Sequence, residues 1–150
     1  MASFWQQAKF SCTRLWKLLS LTICLASAPQ IATAQSVALT FDDGPNLAET
    51  PRLSTTQRNQ AMLAALEKHG LKSALFVTAG FGADTPAGYA LAKAWGDAGH
   101  AIGNHTVHHP DLNNANVSLA HYQQEIMACD KIISTMPGYQ KWFRYTYLRE

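Results

Sequence analysis

Charge of one sign is what this sequence most lacks. Twelve Lys and Arg against ten Asp and Glu leave a formal net charge of +2 over 150 residues, too weak and too dispersed to make nucleic acid a partner on electrostatic grounds. Charged residues make up only 15% of the chain and hydrophobic ones 47%, which excludes a disordered polar chain and supplies the core of a single ordinary domain. Cysteine is scarce too, at positions 12, 24 and 129, so a disulfide scaffold is excluded. There is no internal repeat, low-complexity tract or domain linker.

Residues 1–34 read as a secretory signal. Lys9, Arg14 and Lys17 precede the apolar run Leu18 to Ala26, and Ala32-Thr33-Ala34 offers the small pair that a signal peptidase accepts. The run is about half the length of a permanent membrane span, so cleavage after Ala34 is expected rather than an uncleaved anchor, and no stable span remains afterwards. The mature chain is then 35–150, exported to the periplasm or beyond, with nine basic and ten acidic residues. Cys12 and Cys24 leave with the signal, so no internal disulfide can form. Cys129 falls on the stripe Leu119, Tyr122, Ile126, Cys129, Ile133, whose alternating spacing of three and four predicts a buried, inert thiol on a helix.

The remaining pattern alternates. Val37 to Phe41 predicts a strand ending in the polar loop Asp42-Asp43-Gly44-Pro45. Arg58 to His69 predicts a helix carrying Met62, Leu63 and Leu66 on one face, with Gly70 as its stop. Ser73 to Thr78 reads as a second strand, Tyr89 to Ala98 as a second helix closed by Gly99, and Ala101 to Gly103 as a short third strand. Ser118 caps a helix to about Ser134, and Trp142 to Tyr147 reads as a fourth strand. Strands alternating with helices imply parallel strands joined by crossovers, an α/β open sheet or part of a barrel. Ligands collect at the C-terminal ends of such strands, and Asp42-Asp43, His105 to His109 and Arg144 all follow or end one.

Adjacent carboxylates on an extended backbone point to opposite sides, so Asp42 and Asp43 suit two different tasks, one binding a metal and the other moving a proton. Taken alone, Asp-Asp-Gly-Pro is also ordinary turn chemistry. His105 and His109, four apart, can converge on one ion if the backbone makes a single helical turn there, with His108 pointing elsewhere; a histidine cluster can equally be a solvated loop. Two His and one carboxylate form a recurrent catalytic metal set that leaves a position open for water.

Thr40-Phe41-Asp42-Asp43-Gly44-Pro45 with His105-Thr106-Val107-His108-His109-Pro110 resembles the first two motifs of the polysaccharide deacetylases, carbohydrate esterase family four. The resemblance runs from Val37 to Glu150. It implies that Asp43, His105 and His109 bind the metal and that Asp42 is the catalytic base. Arg144-Tyr145-Thr146-Tyr147 resembles the third motif, except that Thr146 stands where Pro is usual. By that resemblance Arg144 orients the base and the Tyr147 N–H helps to hold the oxyanion. Freeing the backbone at Thr146 and adding a donor there puts the placement of that N–H in question. Periodicity alone would instead read Trp142, Phe143, Tyr145 and Tyr147 as a strand with aromatic residues on both faces.

The resemblance implies a divalent metal, with zinc suited to mixed nitrogen and oxygen ligands and Co2+ or another ion also able to fit. It implies hydrolysis of N-acetyl or O-acetyl groups on an acetylated polysaccharide or oligosaccharide. The family's two later motifs, which carry a bracing Asp with a Trp and a Leu with the general-acid His, have no counterpart here. His69, His100, His108 and His121 all precede the third motif. The expectation is therefore a partial distorted (β/α) barrel with parallel strands, truncated after about four strands, the N-terminal part of a deacetylase domain. A catalytically inactive metal- or glycan-binding fragment of the same fold is one competing reading. Another is an amide hydrolase for small cyclic amides on the same barrel, against which the export signal argues.

Overall fold

The computed structural model describes residues 36–149; the expected secretory signal lies outside them. β1 (Leu39–Gly44), β2 (Ser73–Val77), β3 (Ala101–Asn104) and β4 (Tyr139–Phe143) form one open sheet in the order β1-β2-β3-β4, and every neighbouring pair is parallel. The crossovers are α1 (Thr55–Lys68), α2 (Pro86–Asp97) and α3 (Leu119–Ile133). Among the described residues no helix is long and apolar enough to cross a membrane.

Local chemistry explains the helix starts. Ser54 and Gln57 make a reciprocal capping box on α1, Thr85 accepts from the Gly88 N–H with Pro86 opening α2, and Ser118 accepts from the His121 N–H at α3. The α1 start is three residues earlier than its apolar spacing indicates, because the cap sits in a polar stretch without hydrophobic periodicity. Gly70 lies just past α1 with φ 62°, the left-handed conformation a helix stop favours.

Leu75, Val77, Ala92, Trp95, Ile102, Cys129, Ile133 and Met136 build the core between sheet and helices. Cys129 is fully buried as expected, its Sγ donating to the Val77 carbonyl, and burial pushes its thiol up to about 12. The stripe is shorter than its spacing suggests, since Leu119 is 64% exposed at the first turn of α3. On α1 Leu66 is buried but Met62 is exposed.

Two boundaries depart from expectation in ways that matter for the site. β1 does not stop at Phe41 but runs through the Asp pair to Gly44, with a register break between Phe41 and Gly44. β4 begins three residues early, at Tyr139, and ends at Phe143; Thr146–Leu148 form a 3-10 turn, so Tyr145 and Tyr147 are not strand residues. The aromatic-strand alternative is thereby overturned: Tyr147 has φ 57°, which no strand contains.

Candidate active site

The register places the site. Gly44 pairs with Val77, Val77 with Asn104, and Asn104 with Phe143, so the four strand ends share one rim. Asp42, Asp43, His105 and Arg144 occupy or adjoin those ends. The extra residue in β1 between Phe41 and Gly44 is a bulge, and Asp43 within it has φ 61°. The two carboxylates accordingly face different partners. Asp42 Oδ1 accepts from Arg144 Nη1 at 2.9 Å, whereas Asp43 Oδ1 lies 3.4 Å from His109 Nε2 and 3.8 Å from His105 Nε2.

Ligand atoms of Asp43, His105 and His109 all lie within 4.8 Å of one another. Ligands of one tetrahedral zinc at about 2.0–2.1 Å stand roughly 3.3 Å apart, close to the separations of Asp43 from the two rings. The donor chemistry fits a cation as well. His105 Nδ1 is 2.8 Å from the Arg144 carbonyl, which can only accept, so Nδ1 carries the proton and Nε2 presents a lone pair. Burial lowers the His105 pKa against the opposing effects of that hydrogen bond and of Asp42 and Asp43, which favours the neutral ring. An imidazole lone pair facing a carboxylate oxygen is repulsive unless a proton or a cation lies between them. Asp43 is oriented by Thr78, whose Oγ1 donates to Oδ1 at 3.1 Å.

No helical turn carries the histidines, contrary to the geometry that their spacing allows. Residues 105–110 are irregular, and Thr106 and His109 have φ 73° and 57°. A β-branched residue in that region is a strained outlier, held here because Thr106 is tied at three atoms. Its N–H donates to Asn104 Oδ1, its Oγ1 accepts from the His109 N–H, and its carbonyl accepts from the Ala79 N–H. The His109 ring lies between Phe81, stacked at 6.0 Å, and Tyr147, edge-on at 4.5 Å. Gly80 lets this loop approach, since a Cβ there would stand 2.7 Å from the Val107 carbonyl.

Arg144 is held on three sides. Nη1 also donates to Thr40 Oγ1 at 2.8 Å, and its guanidinium carbon sits 4.1 Å from the centroid of the Phe76 ring, a cation–π contact. A side chain at position 103 would strike that ring. Thr146, which stands where the resembled third motif would have Pro, is fully buried. Its N–H donates to Tyr122 Oη at 3.2 Å and its Oγ1 is 2.9 Å from the same oxygen. Oγ1 also donates to the Pro110 carbonyl. The added donor is satisfied, and the turn bearing Tyr147 is fastened to both α3 and the histidine loop.

Comparison with known proteins decides the family. The profile described as Polysaccharide deacetylase matches residues 30–150. The chain belongs to the polysaccharide deacetylases. This polysaccharide deacetylase chain is 35% identical over 107 residues to a peptidoglycan-N-acetylglucosamine deacetylase of Bacillus cereus, covering 71% of this chain and 34% of that protein. It is 37% identical over 90 residues to a chitooligosaccharide deacetylase of Sinorhizobium fredii, covering 59% and 36%. Among solved structures, a family 4 carbohydrate esterase from Streptomyces lividans in complex with acetate superposes with a TM-score of 0.60 at 30% identity, covering 76% of this chain and 52% of the other. The chain therefore spans about a third of the length of these curated relatives.

Sequence reasoning missed Thr40, Thr78, Phe76, Phe81 and Glu125. Thr40 opens the first motif but has no role assigned there, and Thr78, Phe76 and Phe81 are ordinary strand and turn residues with no distinguishing spacing. Glu125 did carry a signal. It lies three residues after Tyr122 and four before Cys129, on the apolar face of α3, where a carboxylate must find partners.

Proposed function

We propose that this polysaccharide deacetylase chain holds a divalent cation with Asp43, His105 and His109 and hydrolyses acetyl groups on an exported glycan polymer. The reading is carried by the convergence of those three ligand atoms beside an Asp42–Arg144 pair. Zinc suits the mixed nitrogen and oxygen set. A cation held there supplies Lewis-acid polarisation of the acetyl carbonyl and a lowered pKa for attacking water.

The chain's own residues supply the rest. Asp42, fixed by Arg144, takes a proton from the attacking water, and general-base assistance of this kind contributes about 10²–10⁴-fold. Arg144 keeps the base aimed through Thr40 and Phe76, both of which it touches. The Tyr147 N–H is assigned to the developing oxyanion. The acetyl C–N or C–O bond breaks, the water oxygen stays in acetate, and the water's protons end on the freed amine or hydroxyl and in solvent. The secretory signal expected at 1–34 and the peptidoglycan and chitooligosaccharide named for the relatives support an acetylated cell-envelope or extracellular glycan as substrate.

Acetate release from acetylated chitooligosaccharide and from peptidoglycan, measured for the full chain with and without Zn2+, tests the reading. Metal-dependent release supports it. Metal binding without any release favours the non-catalytic alternative, and no binding at all overturns both.

A further inference from the structure

Resting on that metal reading, we infer that Glu125 is a positioning residue for the metal ligands, acting through the backbone between them. Its side chain is 8% exposed and reaches out of α3 into the segment linking His105 to His109. Oε2 accepts from the Val107 N–H at 3.1 Å and the His108 N–H at 2.7 Å, and Oε1 lies 2.9 Å from His108 Nδ1. One buried carboxylate thus collects three donors from two consecutive residues, and the candidate ligands stand two residues before and one residue after that pair.

The segment has no helix or strand to define its path. It contains two left-handed non-glycine residues, Thr106 and His109, a conformation that persists only where the surroundings enforce it. Thr106 is enforced from the β3 side by Asn104, which is itself tied to α3 through the Ile126 carbonyl and Asp130. Val107 and His108 are enforced by Glu125 alone among side chains on α3. His108 fills the third acceptor direction while its ring remains 74% exposed, which accounts for a third histidine in the motif without making it a ligand. Moving the Val107–His108 peptide swings His109 relative to His105, and partners that orient metal ligands in this indirect way typically govern 10–100-fold in affinity.

The test compares Glu125→Ala, Glu125→Asp, Glu125→Gln and His108→Ala in the full chain. Zn2+ affinity is measured by chelator competition, the Co2+ absorption spectrum reports ligand geometry, and thermal melting of the metal-free chain reports folding. Glu125→Ala and Glu125→Asp, which lose or shorten the reach to both amides, should weaken Zn2+ binding at least tenfold and alter the Co2+ spectrum. Glu125→Gln keeps an amide oxygen for the two backbone donors and should return both readouts to within threefold of wild type. His108→Ala should do likewise. Should Glu125→Ala fail to melt cooperatively, Glu125→Asp and Glu125→Gln decide. Wild-type affinity and spectrum in Glu125→Asp, or equal losses in Glu125→Gln and Glu125→Asp, overturn this inference while leaving the metal reading intact. No Zn2+ bound by the wild-type chain overturns both.

Discussion

Replacing Thr146 by Val removes one hydroxyl and almost no volume, and it probes the buried contact that fastens the turn bearing Tyr147. Thr146 Oγ1 contacts Tyr122 Oη and the Pro110 carbonyl, and its N–H also donates to Tyr122. Thr146 is fully buried and Tyr122 is 1% exposed, so water cannot replace the partner that the Tyr122 hydroxyl loses. Each buried polar group left without a partner costs about 1–3 kcal/mol. In Thr146→Val the Pro110 carbonyl loses that donor and the Tyr122 O–H loses its acceptor, while Tyr122 Oη keeps the Thr146 N–H, so a loss of at least about 1–3 kcal/mol is expected. Tyr122→Phe alone strands the Thr146 N–H and should cost a similar amount. The two residues share a bond, so the double variant should fall short of the summed losses by about 1 kcal/mol. Urea denaturation of the full chain at fixed pH gives all four values. A Thr146→Val variant within about 0.3 kcal/mol of wild type, or strict additivity in the cycle, would refute the claim that this hydroxyl fastens the turn bearing Tyr147.

Further outcomes follow from the same geometry. Asp42→Asn should leave Zn2+ affinity within threefold while lowering acetate release by at least about 10²-fold; equal losses in binding and turnover would merge the two carboxylates into one role. Phe76→Leu should lower turnover without changing Zn2+ affinity, because the ring supports Arg144 and not the ligands; unchanged turnover would remove the ring from the account. His100 is buried and its pKa is lowered by burial and by Lys72. The folded chain therefore binds fewer protons than the unfolded one as pH falls below 6.5, and that part of the stability, fully present above this value, is lost on acidification. His100→Gln should flatten the stability slope just below pH 6.5, and an unchanged slope would assign the acid sensitivity elsewhere. Iodoacetamide should label Cys129 only after denaturation, as mass mapping can show, since its thiol is buried and pushed up to about 12; native labelling would contradict the packing of α3.

Local chemistry made the frame legible and long-range pairing hid the details. The β2 run, Gly70 and the Ser118 cap are short-range signals, and each element sits where those signals indicate. The end of β1 was obscured because Asp-Asp-Gly-Pro is turn chemistry, while its pairing with β2 continues through a bulge that no local pattern announces. β4 was displaced because Trp142 to Tyr147 is the most aromatic stretch there, although the bonded segment is Tyr139–Phe143. At the site, residue types and spacing pointed to His105, His109 and one of the two Asp residues, and the resemblance to Asp43; the fold brings these three side chains together. They suggested a helical turn for the histidines, and the loop instead takes its shape from Asn104 and Thr106 and from Glu125 on α3. Those contacts join residues up to 18 positions apart and leave no periodic trace.

Metal titration of the purified full chain by calorimetry with Zn2+, comparing wild type with Asp43→Ala, His105→Ala and Asp42→Asn, is the sharpest test of the ligand set. One tight ion per chain is expected in wild type and in Asp42→Asn, and loss of that ion in the other two. Undiminished binding in Asp43→Ala or His105→Ala would contradict that set.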